Sequence, residues 1–450
     1  MGAMRVQKLF QNGFLMLSLL APAFGCGGPA AEDDGANPFA DSAFDNGKED
    51  TGYQNPDGVE VEVDLEGDVD APAYNKSDAP AVAGQFALSY FRKRGEFYIE
   101  SLAEDASSDK RVEWLVDGKW ITAEAAKAQP PEKLVHFRIK AVNAVMLHEA
   151  RKDATVGKVF VAPVPKRPFS IQSDAGDKCA EKDDHMPLSQ SIYWYLWDPS
   201  LPTCTVDKTD LKVTVSKLSV KPLTTYPEYD RLIADKKLTV VVLFGLIGDE
   251  LSASDSGVTG AARMASNLKR AGFVEVPNAP IGKRLSKLTS KGTTIEVDLY
   301  SPYEFEGLGD WNHFANLEKA IAEHEIVAYD GHSMLGASDY WSRPKYPGFY
   351  QIFLYGGCLG YEYYVRPIVG GKGGWQNVDI MSSVIEVSAG ANEFAAPALS
   401  RIFSAIDKNG AGGSWTSILT GVRRSVGDST FGVSGVRENC FSPSGNRCAH

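Results

Sequence analysis

Two segments decide the fold of the second half of this chain: EIVAYDGHS, from Glu325 to Ser333, and YQIFLYGGCLGYEYY, from Tyr350 to Tyr364. Each is a short apolar run that ends at a reactive side chain, His332 in the first and Cys358 in the second. Apolar runs of this kind are typical of strands buried on both faces of a parallel sheet. Ligands bind open α/β sheets at the carboxyl ends of the strands. The two segments therefore predict that His332 and Cys358 lie at one edge of a sheet.

The residue types at this edge indicate cysteine-based acyl transfer. Neighbouring strands lie about 4.8 Å apart, so a thiol and an imidazole that follow two of them can act on one substrate. The thiolate is the nucleophile and the imidazole moves the proton. The alternatives are a small buried apolar role for Cys358 and a structural role in a turn for His332. The spacing of Asp330, His332 and Asp339 matches no known ligand pattern, so we expect no metal site and no cofactor.

Strand and helix patterns alternate around these two segments. Leu238 to Phe244 is a continuous apolar run, and Gly257 to Gly272 has helical spacing. Strands are also predicted at residues 294–300 and 378–387, and helices at 310–323, 394–406 and 414–426, with Asp310 as an N-cap. Such alternation predicts an α/β domain over residues 233–450, with a mostly parallel sheet flanked by helices.

The preceding residues, 81–232, favour strands. Short runs with aromatic or β-branched residues are separated by Gly, Pro, Asp and Lys. The predicted strands are residues 86–91, 96–102, 111–116, 134–142, 158–162, 191–197 and 211–218. This pattern predicts a β-rich domain, either a sandwich or a barrel. The aromatic run from Ile192 to Trp197 is either core or a binding surface, and the core interpretation is the more common one.

The chain starts with the pattern of an export signal. Arg5 and Lys8 precede the apolar run from Gly13 to Leu20. The ending Ala23-Phe24-Gly25-Cys26 is similar to a lipobox, although Phe24 is unusual there. We therefore expect residues 1–26 to be a lipoprotein signal peptide, with Cys26 lipidated and the protein held on the cell envelope, at the outer membrane or cell surface. The alternative is an ordinary signal peptide that is cut elsewhere.

Residues 27–80 have the composition of an acidic, disordered tether. They contain fifteen Asp or Glu residues and two Lys, while the whole chain has a net charge of −12, so the remainder is close to neutral. No cluster of Lys and Arg indicates nucleic-acid binding. Within this segment, Val59 to Leu65 alternates strictly between apolar and acidic residues, as an exposed strand does.

Six cysteines are present, and an exported protein is expected to pair them. Cys26 is used by the lipid if the lipobox interpretation holds. Proximity along the chain predicts that Cys179 pairs with Cys204 and that Cys440 pairs with Cys448. Those two pairs leave Cys358 as a single thiol, which is a reason to consider it reactive.

The order of strands, His332 and Cys358 resembles the caspase-like cysteine peptidases, which include caspases, legumains, gingipains and clostripain. In that family the catalytic His follows one apolar strand in a His-Gly pair, and the catalytic Cys follows the next strand, often as Ala-Cys. The matching stretches here are Asp330-Gly331-His332-Ser333 and Gly356-Gly357-Cys358. The resemblance covers roughly residues 237–430.

The resemblance implies an endopeptidase that acts on a polypeptide. Cys358 would attack the scissile carbonyl and His332 would protonate the leaving amine. The backbone N–H of Cys358 would bind the oxyanion, with the turns at Gly331, Ser333 and Gly357 beside it. Residues 387–393 would shape the specificity pocket, with 370–375 as a further contributor. No acidic residue directly precedes Cys358, so a preference for Arg substrates is not implied.

Two positions and one interval depart from the family pattern, since the interval from His332 to Cys358 is short and predicts an irregular loop instead of a crossover helix. Ser333 stands where the family has Gly, and Gly357 stands where it often has Ala. The departure at Ser333 favours a second hypothesis, in which a non-catalytic envelope lipoprotein uses the same fold to bind another envelope protein. A third hypothesis is an adhesin that binds through residues 192–197.

Overall fold

The computed structural model describes residues 52–95, 97–99, 110–180, 197–219, 224–333, 338–385, 387, 394–427 and 430–448. Within this part of the chain, fifteen strands form two sheets, and helices pack on both of them. The protein is therefore a mixed α/β protein. We call residues 52–219 the N-terminal region and residues 224–448 the C-terminal region.

The sheet of the N-terminal region has seven antiparallel strands, in the order β4-β3-β5-β1-β7-β6 with β2 paired to β5. Their bounds are β1 Gly58–Asp68, β2 Phe97–Ile99, β3 Val112–Val116, β4 Lys119–Thr122, β5 His136–Leu147, β6 Val159–Pro165 and β7 Lys208–Leu218. Helix α1, Ala79–Lys93, packs on this sheet and shares one apolar core with it. The described part of this region also contains two short α-helices, α2 Ala123–Ala126 and α3 Ile171–Asp174.

Strand β1 corrects the expected tether. It lies within residues 27–80, yet it pairs with β5 on one side and β7 on the other, near the middle of the sheet. Its apolar residues Val61, Val63 and Leu65 are fully buried, and the acidic residues between them point to the other face. Glu62 there forms an ion pair with Lys217 of β7. The strand predicted at residues 59–65 is therefore present, but it is an inner strand of the sheet and not an exposed one, because its alternating apolar residues are buried.

Helix α1 corrects the strand predicted at residues 86–91. The segment from Ala79 is rich in Ala, which has the highest helix propensity, and Pro80 fits the first turn. Almost all of the helix is buried, so its apolar residues show no single stripe that would reveal the helical period. Because α1 covers a face of the seven-stranded sheet, the described residues form a sheet with a helix on it, and not the expected sandwich or barrel.

The sheet of the C-terminal region has eight strands, in the order β15-β14-β13-β12-β8-β11-β10-β9. Their bounds are β8 Lys237–Phe244, β9 Val274–Val276, β10 Lys283–Leu288, β11 Thr294–Tyr300, β12 Ile326–Asp330, β13 Gln351–Tyr355, β14 Val378–Ser383 and β15 Phe431–Ser434. Strands β14, β13, β12, β8 and β11 are parallel, and the outer pairings are antiparallel. The sheet is therefore mixed, and the expected parallel arrangement holds only for its five central strands.

Helices cover both faces of this sheet. Their bounds are α4 Tyr229–Leu232, α5 Ser256–Arg270, α6 Phe314–Glu323, α7 Ser338–Ser342, α8 Gly360–Tyr363, α9 Val365–Lys372, α10 Ala395–Ile406 and α11 Trp415–Val426. Helices α5, α10 and α11 share one apolar core, and α6, α8 and α9 share the core on the other face. The predicted N-cap Asp310 does not begin α6. Its carboxylate instead accepts N–H groups in the turn just before that helix.

The two regions meet at an apolar cluster that we call the interdomain cluster. It consists of Tyr53, Tyr98, Val145, Leu147, Tyr361 and Val384, all buried. The chain also crosses between the sheets at its N-terminal side, where Gln54 pairs with Val433 of β15 before the chain enters β1.

Both predicted disulfides are confirmed, Cys179 with Cys204 and Cys440 with Cys448. Cys26 and the rest of the predicted signal peptide lie outside the described residues, as do residues 192–196 of the aromatic run. Trp197, the last residue of that run, is fully buried and belongs to the core. Across the described ranges, no helix has the length and apolar character needed to span a membrane.

Candidate active site

His332 and Cys358 follow neighbouring strands at matching positions. Strands β12 and β13 are parallel, and Tyr329 is the register partner of Tyr355. His332 comes three residues after Tyr329, and Cys358 comes three residues after Tyr355. The ladder continues past the strands, because the N–H of Gly356 donates to the carbonyl of Tyr329 at 2.8 Å. The two loops therefore leave the sheet side by side at its carboxyl edge.

The loops after β12 and β13 also contact each other. The Ser333 hydroxyl lies 2.8 Å from the Tyr355 hydroxyl, and both groups are buried. A Cβ added to Gly357 would lie only 2.4 Å from Ser333 Oγ, so the space beside Gly357 is already filled. Tyr329 also fixes the loop after β12, because its hydroxyl donates a hydrogen bond to the carbonyl of His332 at 2.7 Å. The backbone around both candidate residues is thus fixed by packing.

A backbone carbonyl orients the His332 side chain. Nε2 lies 2.9 Å from the carbonyl oxygen of Ile247. A carbonyl only accepts hydrogen bonds, so Nε2 carries the hydrogen and, in the neutral ring, Nδ1 holds the lone pair. The side chain is exposed to solvent. His332 is therefore accessible and presents Nδ1 as its proton acceptor.

Asp255, the N-cap of α5, holds the loop that carries Ile247. Its carboxylate accepts N–H groups from Ile247 at 3.1 Å and Gly248 at 2.8 Å, and from Gly257 in the first turn of the helix. Burial opposes ionisation of Asp255, but these backbone donors outweigh it and lower the pKa of the carboxyl. A chain of contacts thus runs from the start of α5 to the His332 ring.

Cys358 lies in a sharp turn between β13 and α8. The next residue, Leu359, has φ 54° and ψ 33°, a left-handed conformation that residues other than Gly rarely adopt. Gly360 follows, and a Cβ there would lie 2.5 Å from the Tyr355 ring. Strained turns of this kind are concentrated at functional sites. The turn leaves the Cys358 side chain partly exposed.

The segment after β14 runs beside the thiol. The N–H of Val387 lies 3.3 Å from Cys358 Sγ, and the carbonyl of Ile385 accepts from the N–H of Leu359 at 3.0 Å. The carbonyl of Val387 lies 3.6 Å from the same sulfur, so this residue presents both a hydrogen-bond donor and an acceptor to the thiol. Val387 is the first residue of the predicted specificity pocket, and residues 388–393 lie outside the described part.

The second predicted contributor to that pocket, residues 370–375, lies elsewhere. Gly370 and Gly371 belong to α9, and Gly373 ends this helix in a left-handed conformation. Trp375 precedes the first residue of β14, at the amino end of a strand parallel to β13. Cys358 follows the carboxyl end of β13, so the two features are at opposite edges of the sheet, and this contribution is not supported.

Asp330 is a buried carboxyl group at the end of β12. It is 3 % exposed, and within the described residues its Oδ1 has no hydrogen-bond partner. Burial raises the pKa of Asp330 well above its ordinary value, with Arg263 acting in the opposite direction. Burial thus favours the neutral form of this carboxyl over the carboxylate. No group of three His, Cys, Asp or Glu side chains in the described residues is arranged to hold a metal ion.

Sequence patterns do not reveal the residues that support the site. Ile247 acts through its carbonyl, which any residue has, and Leu359 acts through a backbone conformation. The one local signal is Gly245 to Gly248 directly after β8, since a strand ending in Gly marks a loop at the same edge. Comparison of the chain with family models, with curated proteins and with solved structures gave no match. A function for this protein therefore rests on the geometry of its own residues.

Proposed function

We propose that the protein is a caspase-like cysteine endopeptidase, with Cys358 as the nucleophile and His332 as the general acid and base. The matched placement of the two residues carries the proposal. Each follows its strand by three residues, the strands are parallel neighbours, and the Tyr329–Tyr355 pair sets their register. A thiol and an imidazole in adjacent loops are the groups that acyl transfer requires.

The orientation of His332 indicates how the proton moves. Nε2 keeps its hydrogen on the Ile247 carbonyl, and in the mechanism that we propose Nδ1 takes the thiol proton from Cys358. The thiolate then attacks the peptide carbonyl, the C–S bond forms, and the carbonyl oxygen becomes an oxyanion beside the N–H of Cys358. Nδ1–H protonates the leaving amine as the C–N bond breaks. Water, deprotonated by Nδ1, hydrolyses the thioester and releases the thiol.

The order of elements supports the comparison with caspase-like peptidases. In chain order the parallel strands are β8, β11, β12, β13 and β14, so His332 follows the third and Cys358 follows the fourth. The two positions that depart from the family pattern also fit each other. Ser333 Oγ fills the space that an Ala Cβ at position 357 would need. The Tyr355 side chain would also lie 2.8 Å from that Cβ, so the two positions compensate each other only in part.

The same proposal places the protein on the cell envelope, with Cys26 as the lipid attachment site. The two disulfides support export, because disulfides persist in oxidising compartments. The substrate is then a polypeptide that reaches the envelope.

One observation favours the alternative of a non-catalytic binding protein. The Cys358 sulfur contacts both the N–H and the carbonyl of Val387, at 3.3 Å and 3.6 Å, so the backbone covers one side of it. A sulfur that is covered on one side is less accessible to a substrate. In this alternative the loops keep their packing and the protein binds an envelope partner without cleaving it.

Alkylation of Cys358 separates the two functions. The assay uses the exported protein without residues 1–26, so that Cys26 is absent. The other cysteines are in disulfides, and iodoacetamide therefore reports on Cys358. We expect rapid labelling with an apparent pKa well below the ordinary value of about 8.5, and a higher apparent pKa in His332→Ala. Cys358→Ser is the control for specificity. Slow labelling that is indifferent to His332 would contradict a peptidase. A positive result would be followed by a peptide-library screen for the cleavage site.

A further inference from the structure

The short helix α8, directly after Cys358, is bound by side chains of the N-terminal region. Tyr361 donates its hydroxyl hydrogen to Glu60 Oε1 at 2.9 Å. The Tyr363 hydroxyl accepts a hydrogen bond from Gln85 Nε2 at 3.1 Å. Glu60 lies in β1 and Gln85 lies in α1, so both contacts cross between the two regions. All four residues are at most 4 % exposed.

The bond to Glu60 couples the two regions tightly. Glu60 is 2 % exposed, and its second oxygen accepts the N–H of Tyr53 at 3.0 Å. A buried carboxylate is costly unless donors satisfy its oxygens. Displacing Tyr361 would remove one of those donors. Glu60 therefore opposes any movement of α8 away from the N-terminal region.

Apolar packing acts in the same direction. The rings of Tyr53 and Tyr361 meet edge to face, with centroids 4.8 Å apart. Tyr361 also belongs to the interdomain cluster, of which four members come from the N-terminal region. Helix α8 has only four residues, far fewer than a helix needs to be stable by itself. Its position is thus set by what it packs against.

The position of α8 determines the turn that carries Cys358. The carbonyl of Leu359 accepts the N–H groups of Glu362 at 3.1 Å and Tyr363 at 3.2 Å, so the left-handed residue is tied to the helix. On its other side, the N–H of Leu359 donates to Ile385. A left-handed conformation in a residue other than Gly persists only where the surroundings enforce it. Contacts on α8 therefore help to enforce it here.

We propose that the N-terminal region positions the nucleophile: Glu60 and Gln85, acting through Tyr361 and Tyr363, hold the turn of Cys358 in its reactive geometry. This inference deepens the proposed function and rests on it for the role of the thiol. Glu60 and Gln85 are positioning residues that lie across the interface from the thiol. The N-terminal region is accordingly a required part of the active protein.

The test compares two buried tyrosines whose hydroxyl groups donate to different acceptors. Tyr361→Phe removes the hydroxyl bound to Glu60. Tyr229→Phe is the matched control, because Tyr229 is 2 % exposed and its hydroxyl donates to the carbonyl of Gly413 at 2.8 Å. We measure the rate of Cys358 alkylation by iodoacetamide against pH, together with the unfolding midpoint of each variant.

We expect both variants to lose stability and only Tyr361→Phe to change the alkylation profile. At neutral pH the alkylation rate of Tyr361→Phe should fall about tenfold. This factor corresponds to the low end of the free energies found for hydrogen bonds to charged groups. Gln85→Leu should lower the rate in the same direction by less, since the bond it removes is neutral. This second variant also keeps the test valid if Tyr361→Phe does not fold. Wild-type alkylation rates in a folded Tyr361→Phe, or in Gln85→Leu when the former is unfolded, would overturn the inference.

His332→Ala, measured in parallel, separates this inference from the proposed function. If His332→Ala leaves the profile unchanged while Tyr361→Phe lowers the rate, the peptidase proposal fails and the positioning of the turn stands. If His332→Ala changes the profile and Tyr361→Phe does not, the peptidase proposal stands and the positioning role is refuted.

Discussion

Asp379→Asn should change how the stability of this protein depends on pH. Asp379 lies in β14 and is fully buried. Its Oδ2 accepts hydrogen bonds from Tyr350 at 2.7 Å, Trp415 at 2.8 Å and Asn439 at 2.6 Å. Burial raises the pKa of Asp379 to about 7, more than these three donors lower it. The folded protein therefore binds this proton more tightly than the unfolded chain does.

The sign and the size of the effect follow from linkage. In the unfolded chain an Asp has a pKa of about 3.9. A raised pKa in the folded state contributes stability that is complete below about pH 4 and is lost as the pH rises to about 7. A shift of about three pKa units corresponds to about 4 kcal/mol. Asn does not titrate, so Asp379→Asn should gain up to about 4 kcal/mol relative to wild type between pH 4 and pH 8.

The assay is urea unfolding of both proteins at a series of pH values, with the disulfides intact. The difference between the two free energies of unfolding cancels the titration of every group that they share. Asp298→Asn is a control of opposite sign. Burial opposes ionisation of Asp298, yet its bonds to Arg284 and His324 lower its pKa, so the stability it provides is lost as the pH falls. A difference between wild type and Asp379→Asn that stays constant with pH would refute the reasoning.

Three further predictions concern the loops of the candidate site and the stability of the fold. Gly357→Ala should lower the free energy of unfolding by about 1–3 kcal/mol, because the added methyl group overpacks the site. In a double-mutant cycle measured by urea denaturation, Gly357→Ala combined with Ser333→Gly should lower it by less than the sum of the two single changes, and strict additivity would show that the two positions do not contact. Asp255→Ala should lower the free energy of unfolding by about 1 kcal/mol through loss of the N-cap. It should also raise the apparent pKa of Cys358 in the alkylation assay, because the loop that orients His332 is released. An unchanged pH profile would count against a link between Asp255 and His332. Removal of the Cys179–Cys204 disulfide by a double Ala substitution should cost about 3 kcal/mol in the same assay, as expected for the loop that it closes, and an unchanged midpoint would contradict this.

Local patterns predicted the central part of the fold well. The apolar runs at β8, β12 and β13 are recognisable because a strand buried on both faces has no alternation to disguise it. Patterns failed where an element is buried all round but is not a strand, as in α1. They also missed β15, which has only four residues and pairs with β14 about 50 residues before it in the chain. Pairing of this kind depends on tertiary packing.

The sequence predicted the two candidate catalytic residues of the site but not the residues that position them. His332 and Cys358 could be assigned to one sheet edge, because each ends its own strand. Their supports could not be assigned, because they come from distant parts of the chain. The Ile247 carbonyl is 85 residues from His332, and Glu60 is 301 residues from Tyr361. Neither partner has a side-chain motif that identifies its role.

The crossing of the chain near Gln54 has a mechanical consequence. After its pairing with Val433, the chain enters β1, which is bonded on both sides, to β5 and to β7. Ladder hydrogen bonds in antiparallel pairs are perpendicular to the strands. Tension applied from the N-terminal side along β1 would therefore shear many of these bonds together instead of opening them one at a time. With the N-terminal lipid anchor that we propose, the protein would resist pulling from its N-terminal side through an inner strand of its sheet.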